Sequence, residues 1–199
     1  IGAATLERNL YLVAELLPLP APVVIGVNMV DVAQRERIHI ETDVLEAAIG
    51  VPVIPMVATH ARGVHELLDA AIGVARSDRP QEPNRPQVRE DHQEVLRSLV
   101  GLIAGSVPEP YPVDWVALKL FEGDREIVAL MRDALPPERW SAVWAILEQH
   151  EDAVLAVAGG RYEWIRQMTE AALCRPHMGQ VTLTQRLDAV ATHPFWGLV

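Results

Sequence analysis

The spacing of apolar residues changes character along the chain. Leu6, Leu10, Val13 and Leu17 recur at the period of one helix face, Thr5 suits the N-cap, and Pro18 and Pro20 end the run. Val23, Val24, Ile25 and Val27 then form a continuous apolar stretch, too short for a buried helix and suited to a central parallel strand covered on both faces. It stops at Asn28. Residues 35–40 are polar and mixed, which predicts a turn, and residues 41–49 predict a helix aided by Thr42 and Glu46 and ended by Gly50. V-P-V-I-P at 51–55 predicts a second buried strand with prolines at its edges, followed by a loop over 56–62 and a helix over 63–76. Strand, helix, strand, helix is the alternation of a parallel α/β unit.

From residue 77 the pattern is different. S-D-R-P-Q-E-P-N-R-P-Q at 77–87 is polar and rich in proline, which predicts an extended linker rather than a packed element. Beyond it strand signals vanish. Helical spacing covers 88–104, 112–121, 126–135, 137–157, 162–174 and 184–192, a bundle of about six helices in which Trp115, Trp140, Trp144 and Trp164 read as core anchors. The division this implies is an α/β unit at 1–76, a linker at 77–87, a helical domain at 88–192 and a short apolar, aromatic end, H-P-F-W-G-L-V, at 193–199.

Charge narrows the partners. With 17 basic and 27 acidic residues in 199, the net charge is −10, which excludes a phosphate-backbone surface. Lys119 is the sole lysine and Cys174 the sole cysteine, so an internal disulfide is excluded and a reducing compartment fits. No stretch is long and apolar enough to read as a membrane span, and the chain is expected to be soluble as it stands. The opening I-G-A-A-T does not resemble an initiator region, and the sequence is expected to begin partway into a longer protein.

Asn28 and Asp31 sit where ligands gather in open α/β sheets, at the carboxyl end of a strand. On a loop there, an Asp carboxylate can accept from the N1–H and N2 amine of guanine together. Adenine has an acceptor at N1 and no N2 amine, and each buried hydrogen bond left unmade costs roughly 1–3 kcal/mol. An Asn amide both donates and accepts, so it can join the base to a neighbouring loop. N-x-x-D is weak alone, and the same residues also suit the capping of a turn. On this reading, an Asp31 held inside a helix, or turned away from residues 57–59, would leave no pocket for the base.

Further motifs lie in the same order along the chain. L-E-R-N-L-Y-L (6–12), V-N-M-V-D (27–31), P-V-I-P-M-V-A-T-H-A-R-G (52–63), P-Y-P-V-D-W-V-A-L-K-L-F-E-G-D (110–124) and L-T-Q-R-L-D-A-V-A-T-H-P-F-W-G-L-V (183–199) together resemble the ferrous iron transport protein B family, FeoB, over nearly the whole chain. The resemblance implies that 1–76 is the C-terminal part of a P-loop-GTPase-like domain carrying the fourth and fifth guanine motifs, joined to the family's helical domain. It implies that Asn28, Met29 and Asp31 hold the guanine base of GTP or GDP. Backbone at Val57, Ala58 and Thr59 would line that base, with an amide aimed at O6. Family members often carry Ser where Ala58 stands and Asp where Gly2 stands. The parent would couple GTP to Fe²⁺ uptake at the cytoplasmic face of a bacterial inner membrane, and 183–199 would approach its first span.

What the chain lacks bears on mechanism. No G-x-x-x-x-G-K-[ST] and no D-x-x-G occurs, so the phosphate cradle, the Mg²⁺ ligands and the positioned water have no source here. Lys119, in a helical setting without preceding glycines, reads as a surface or snorkelling lysine. The chain alone is expected not to hydrolyse GTP and to bind it poorly, and no catalytic residue and no metal ligand is assigned. The expected partners are guanine nucleotide, the other half of the GTPase domain and the membrane-spanning part of the same protein, with no nucleic acid and a second copy of the chain left open. Two strands alone would leave a doubly wound sheet uncovered. Cys174 and His177 have the spacing of half a metal site, His60 and His65 read as solvent-facing, and Glu151, Asp152, Gln185 and Asp188 as solvated helix faces. The competing reading is a helical regulatory module with no nucleotide binding of its own.

Overall fold

A computed structural model describes residues 1–174. The first part runs α1 (Leu6–Leu16), β1 (Ile25–Asn28), α2 (Val30–Arg35), β2 (His39–Ile40), α3 (Thr42–Ile49), β3 (Val53–Met56) and α4 (Val64–Arg76). The second is helical: α5 (Gln93–Ile103), α6 (Val113–Phe121), α7 (Arg125–Ala134), α8 (Pro137–Gln149) and α9 (Ala153–Ala172), ending in β4 (Leu173–Cys174). The predicted helix at 184–192 and the segment 193–199 lie outside the described residues.

The two predicted strands form and pair in parallel, Ile25 opposite Val53 through Asn28 opposite Met56. Ile25, Val27, Val53 and Met56 are all buried, as continuous apolar runs in a parallel pair require. Gly2 bridges Asn28 on the other side of β1, where the Asn28 N–H donates to the Ile1 carbonyl at 2.8 Å, so β1 is flanked by backbone on both sides. One reading is corrected nearby: within the stretch predicted as a turn, β2 pairs antiparallel with β4, because the end of α9 returns to that edge.

α9 explains how so small a sheet is covered. Leu6, Leu10 and Val13 of α1 with Leu17 just after it, Leu45 and Ile49 of α3, and the β1 and β3 side chains bury against Trp164, Ile165, Met168 and Ala172 of α9. The first turns of that same helix, Ala153, Ala156 and Val157, belong instead to the helical core with Leu99, Leu120, Phe121, Met131 and Val143. Fully burying such aliphatic side chains is worth about 1.5–3 kcal/mol each.

Three sequence expectations change here. The helix predicted over 137–157 is broken at 150–152, while Gly159 and Gly160, between two predicted helices, lie inside α9. The reason is contact: a Cβ on Gly160 would collide with the Gln87 carbonyl, so the helix can pass the chain there only with glycine. The proline-rich stretch is extended but packed. Gln81 donates to the Val23 carbonyl (2.9 Å) and accepts from its N–H (2.7 Å), Asn84 N–H donates to the Ile49 carbonyl (2.8 Å), and Trp164 Nε1 donates to the Asn84 carbonyl (3.0 Å). Prolines leave their neighbours' carbonyls free to accept such bonds while fixing φ, which makes a strap of this stretch. Finally, Trp164 is a core anchor and Trp115 and Trp140 are partly buried. Trp144 is 45 % exposed, with Nε1 donating to Glu148 at 2.7 Å, because it lies on the outer side of α8.

Candidate guanine-nucleotide site

The β1–β3 register sets the site. With Asn28 opposite Met56, the 3₁₀ turn Ala58–His60 that follows β3 arrives beside the Asn28 side chain. Asn28 Oδ1 accepts from the Met29 N–H at 2.8 Å and from the Ala58 N–H at 3.0 Å. Two backbone donors fix which end of the amide faces the protein, and Nδ2, a pure donor, is the end left for a ligand. Asn28 is not the N-cap of α2, which is Met29 with no side-chain cap bond, although its bond from the Met29 N–H is of the local kind that the turn-capping alternative supposes.

Met29 has φ 64°, in the left-handed region, and is 53 % exposed. A non-glycine residue pays about 1–2 kcal/mol for that conformation. Here it turns the chain sharply from β1 into α2, and such strain clusters at functional sites.

Asp31 requires a correction. It is not on a loop but inside helix α2, the placement expected above to leave no pocket for the base. That expectation is too strict, because the left-handed Met29 lets the helix begin at Val30 and puts Asp31 in its first turn, where the carboxylate is still 29 % exposed. A carboxylate there is favoured by the helix dipole. Its Oδ2 meets Arg35 Nη2 at 3.0 Å, one helical turn on, and the side chains are 29 % and 76 % exposed. A pair so exposed is worth about 0.2–1 kcal/mol, so a ligand offering two donors to the carboxylate competes with Arg35 easily.

On the facing loop, Val57 is buried while Ala58, Thr59 and His60 are exposed. Val57 and Arg62 exchange N–H···O bonds of 3.0 and 3.3 Å, closing the loop at its base. Gly63, at φ 80°, is required there: a Cβ would strike the Pro55 carbonyl and the Met56 backbone. Sequence reading missed this closure, and the Arg-Gly step at the end of the loop was the available signal. His60 and His65 are exposed, as their spacing suggested, and Thr59 Oγ1 lies 3.2 Å from His60 Nδ1.

Lys119, expected as a surface or snorkelling lysine, is partly buried. Its side chain is 20 % exposed and its Nζ lies 2.8 Å from Glu122 Oε2, while the other Glu122 oxygen pairs with Arg161, itself 3.7 Å from Glu15 and stacked 5.7 Å over the Tyr11 ring. This network, buried at Arg161 and open to solvent at Glu15, joins α6, α9 and α1 and stands apart from the Asn28 edge. Cys174 closes the described residues and His177 lies beyond them, so the C-x-x-H spacing falls outside what is described.

Comparison with known proteins follows the same division. Residues 1–71 match the family described as ferrous iron transport protein B, and residues 89–174 match the FeoB cytosolic helical domain. The whole chain aligns with the Fe(2+) transporter FeoB of Escherichia coli strain K12 at 32 % identity over 206 residues, and with that of Salmonella typhi at 30 % identity. It spans 25 % of the length of each. Among solved structures, a GDP-bound variant of NFeoB from S. thermophilus superposes with a TM-score of 0.76 at 26 % identity, over 87 % of this chain and 67 % of that one. The cytosolic domain of L. pneumophila FeoB superposes with a TM-score of 0.73 at 25 % identity, over 88 % and 66 %. With both matched regions in order and homology along its full length, the chain belongs to the FeoB family, as part of its cytosolic region.

Proposed function

We propose that Asn28, Met29, Asp31, Val57, Ala58 and Thr59 form the base-reading side of a guanine-nucleotide site, in the C-terminal part of a G domain. The observation that carries this is the Asn28 Oδ1 to Ala58 N–H bond, which ties the strand end that holds N-x-x-D to the loop after β3. Asp31, in the first turn of α2, exchanges its exposed Arg35 partner for the N1–H and N2 amine of guanine. Since the Ala58 N–H is already given to Asn28, the amide offered to O6 is that of Thr59. GDP-bound relatives of the same fold support the ligand class.

The phosphates and Mg²⁺ need a P-loop and switch residues that these 199 residues do not contain, so they are held by sequence outside this chain. In the parent protein, nucleotide binding and hydrolysis are linked to Fe²⁺ transport at the cytoplasmic face of the membrane, with the helical domain between the G domain and the membrane part. Among the described residues, no helix is long and apolar enough to cross a membrane.

The test is thermal shift with millimolar GDP, ATP and xanthosine diphosphate. GDP alone is expected to stabilise the chain, and Asp31→Asn is expected to weaken GDP by tenfold or more, about 1.4 kcal/mol, and to favour the xanthine nucleotide, whose C2 oxygen suits an amide donor. Equal response to GDP and ATP, or a Asp31→Asn chain unchanged toward all three, refutes the assignment.

A further inference from the structure

Away from the nucleotide edge, the helical part brings two imidazoles and a carboxylate together. His92 lies in the 3₁₀ turn Glu90–His92 that leads into α5, and His150 and Asp152 flank the joint between α8 and α9. One ligating atom from each lies within 4.8 Å of the others. His92 is 6 % exposed, and its Nδ1 is 2.8 Å from Asp91 Oδ1. Nδ1 meets Asp91 on one side and Nε2 meets Asp152 Oδ1 at 3.2 Å on the other; since a carboxylate only accepts, a metal ion bound at Nε2 takes the place of the proton shared there. A histidine held by a carboxylate on one nitrogen, with its other nitrogen facing a second imidazole and a second carboxylate, is the outer-shell arrangement of metal-binding histidines.

The surroundings fit a cation of modest size. The His92 and His150 rings meet edge to face at 5.6 Å, and Phe121 packs on both, at 5.7 and 6.1 Å, giving an apolar wall. Adjacent donors around a four-coordinate zinc stand roughly 3.3 Å apart, given metal–ligand bonds of about 2 Å. The cluster therefore has to tighten. The groups with room to move are on the α8–α9 joint: Asp152 is 55 % exposed, and His150 is a half-buried residue outside both helices. Arg89 is the neighbouring cation, 3.1 Å from Asp91 Oδ2 and 3.8 Å from Asp152 Oδ2. It holds the oxygens that do not face His92, and at 48 % exposure it has room to withdraw.

We propose that His92, His150 and Asp152 bind a divalent transition-metal ion of the class taken by imidazole and carboxylate ligands, with Asp91 as the residue that positions His92 and an open fourth position for water. Imidazole with carboxylate suits zinc, iron, cobalt and nickel rather than calcium or magnesium. Bound there, the ion staples the entry to α5 onto the start of α9, the helix that both cores share.

The test titrates the full chain, in a Cys174→Ser background and at about pH 8, with Co²⁺ followed by its visible absorption and with Zn²⁺ by calorimetry and thermal shift. The expected result is one ion per chain and a rise in the melting midpoint. His150→Gln and Asp152→Asn, at positions that are half-buried and exposed, are expected to keep the fold and lose at least tenfold in affinity. Asp91→Asn is expected to lose 10–100-fold while leaving all the ligands in place. No uptake at millimolar metal overturns the proposal. So does uptake that His150→Gln and Asp152→Asn leave unchanged, or uptake that appears only when Cys174 is restored.

Discussion

The two cores of this molecule are closed in different ways. The helical core is assembled from its own neighbours in sequence: Leu99, Leu120, Met131 and Val143 are all fully buried among α5–α8 and the first turns of α9. The α/β core is closed on one side by a borrowed element, the C-terminal half of α9, which arrives from the end of the described chain. Its other side is thin. α4 has no fully buried residue, and its Leu68 and Ile72 are 54 % and 46 % exposed. The difference teaches that dependence runs one way. The helical core holds α9 by its N-terminal turns without help from the sheet, whereas the sheet, with few strands of its own, depends on α9.

Truncating one anchor in each core puts this to the test. Trp164→Ala removes a 4 % exposed side chain and its bond to the Asn84 carbonyl, and is expected to cost about 3–5 kcal/mol. Hydrogen exchange should then show protection lost in α1, α3, β1 and β3 and retained in α5–α8. Met131→Ala, at a fully buried site in the helical core, is expected to cost about 2–5 kcal/mol and to strip protection from both parts, since α9 loses its base. Equal loss everywhere in Trp164→Ala would make the two cores one cooperative unit and break the comparison.

Adjacent glycines in α9 separate packing from propensity. Gly160 faces the Gln87 carbonyl with no room for a methyl group, so Gly160→Ala is expected to cost about 1–3 kcal/mol by forcing the strap away. At Gly159 a Cβ would lie 3.6 Å from Arg89 Cδ, an ordinary contact, and Gly159→Ala should stabilise the chain by about 0.5–1 kcal/mol through helix propensity. Opposite signs in chemical denaturation are the expected result, and two equal signs would remove the strap from the account. Gln81→Ala, which deletes both side-chain bonds to Val23, is a milder probe of the same contact, at about 1 kcal/mol per bond.

How much of this the sequence carried depends on whether a signal is local. The parallel strands were legible because Val23–Val27 and V-P-V-I-P are unbroken apolar runs, and Asn28 stood out as the polar residue that ends one of them. The start of α2 was not legible, since it depends on Met29 adopting a left-handed conformation that its side chain does not favour. Gly159-Gly160 looked like a helix break because glycine has two uses, and only the approach of Gln87 reveals which applies. His92, His150 and Asp152 gave no signal at all: the first is far from the others in sequence, and Asp152 viewed alone is a solvated carboxylate. Trp144 was assigned to the wrong environment because helical spacing gives a face but not what covers it.

The smallest expected effect lies on the outer face of the borrowed half of α9. Arg166 grips Glu163 with bonds of 2.7 and 2.9 Å, Gln167 adds another at 2.9 Å, and the same guanidinium reaches Glu170 at 2.6 and 2.7 Å. Chiefly the Arg166 bonds, and then Gln167, lower the Glu163 carboxyl from its ordinary 4.5 to about 2. A carboxylate depressed in the folded state adds stability that is complete above its unfolded value and is lost as pH falls through the folded one. The window is therefore between about pH 4.5 and pH 2, and Glu163→Gln should flatten the slope of stability against pH there, its small cost being complete at neutral pH and vanishing as pH falls toward 2. The cluster is solvent-exposed and screened by salt, so the change is small and should shrink further in high salt. If the loss of slope appears in the exchange of α1 and α3 and not in that of α5–α8, the acid sensitivity of α9 is transmitted only to the core that borrows it.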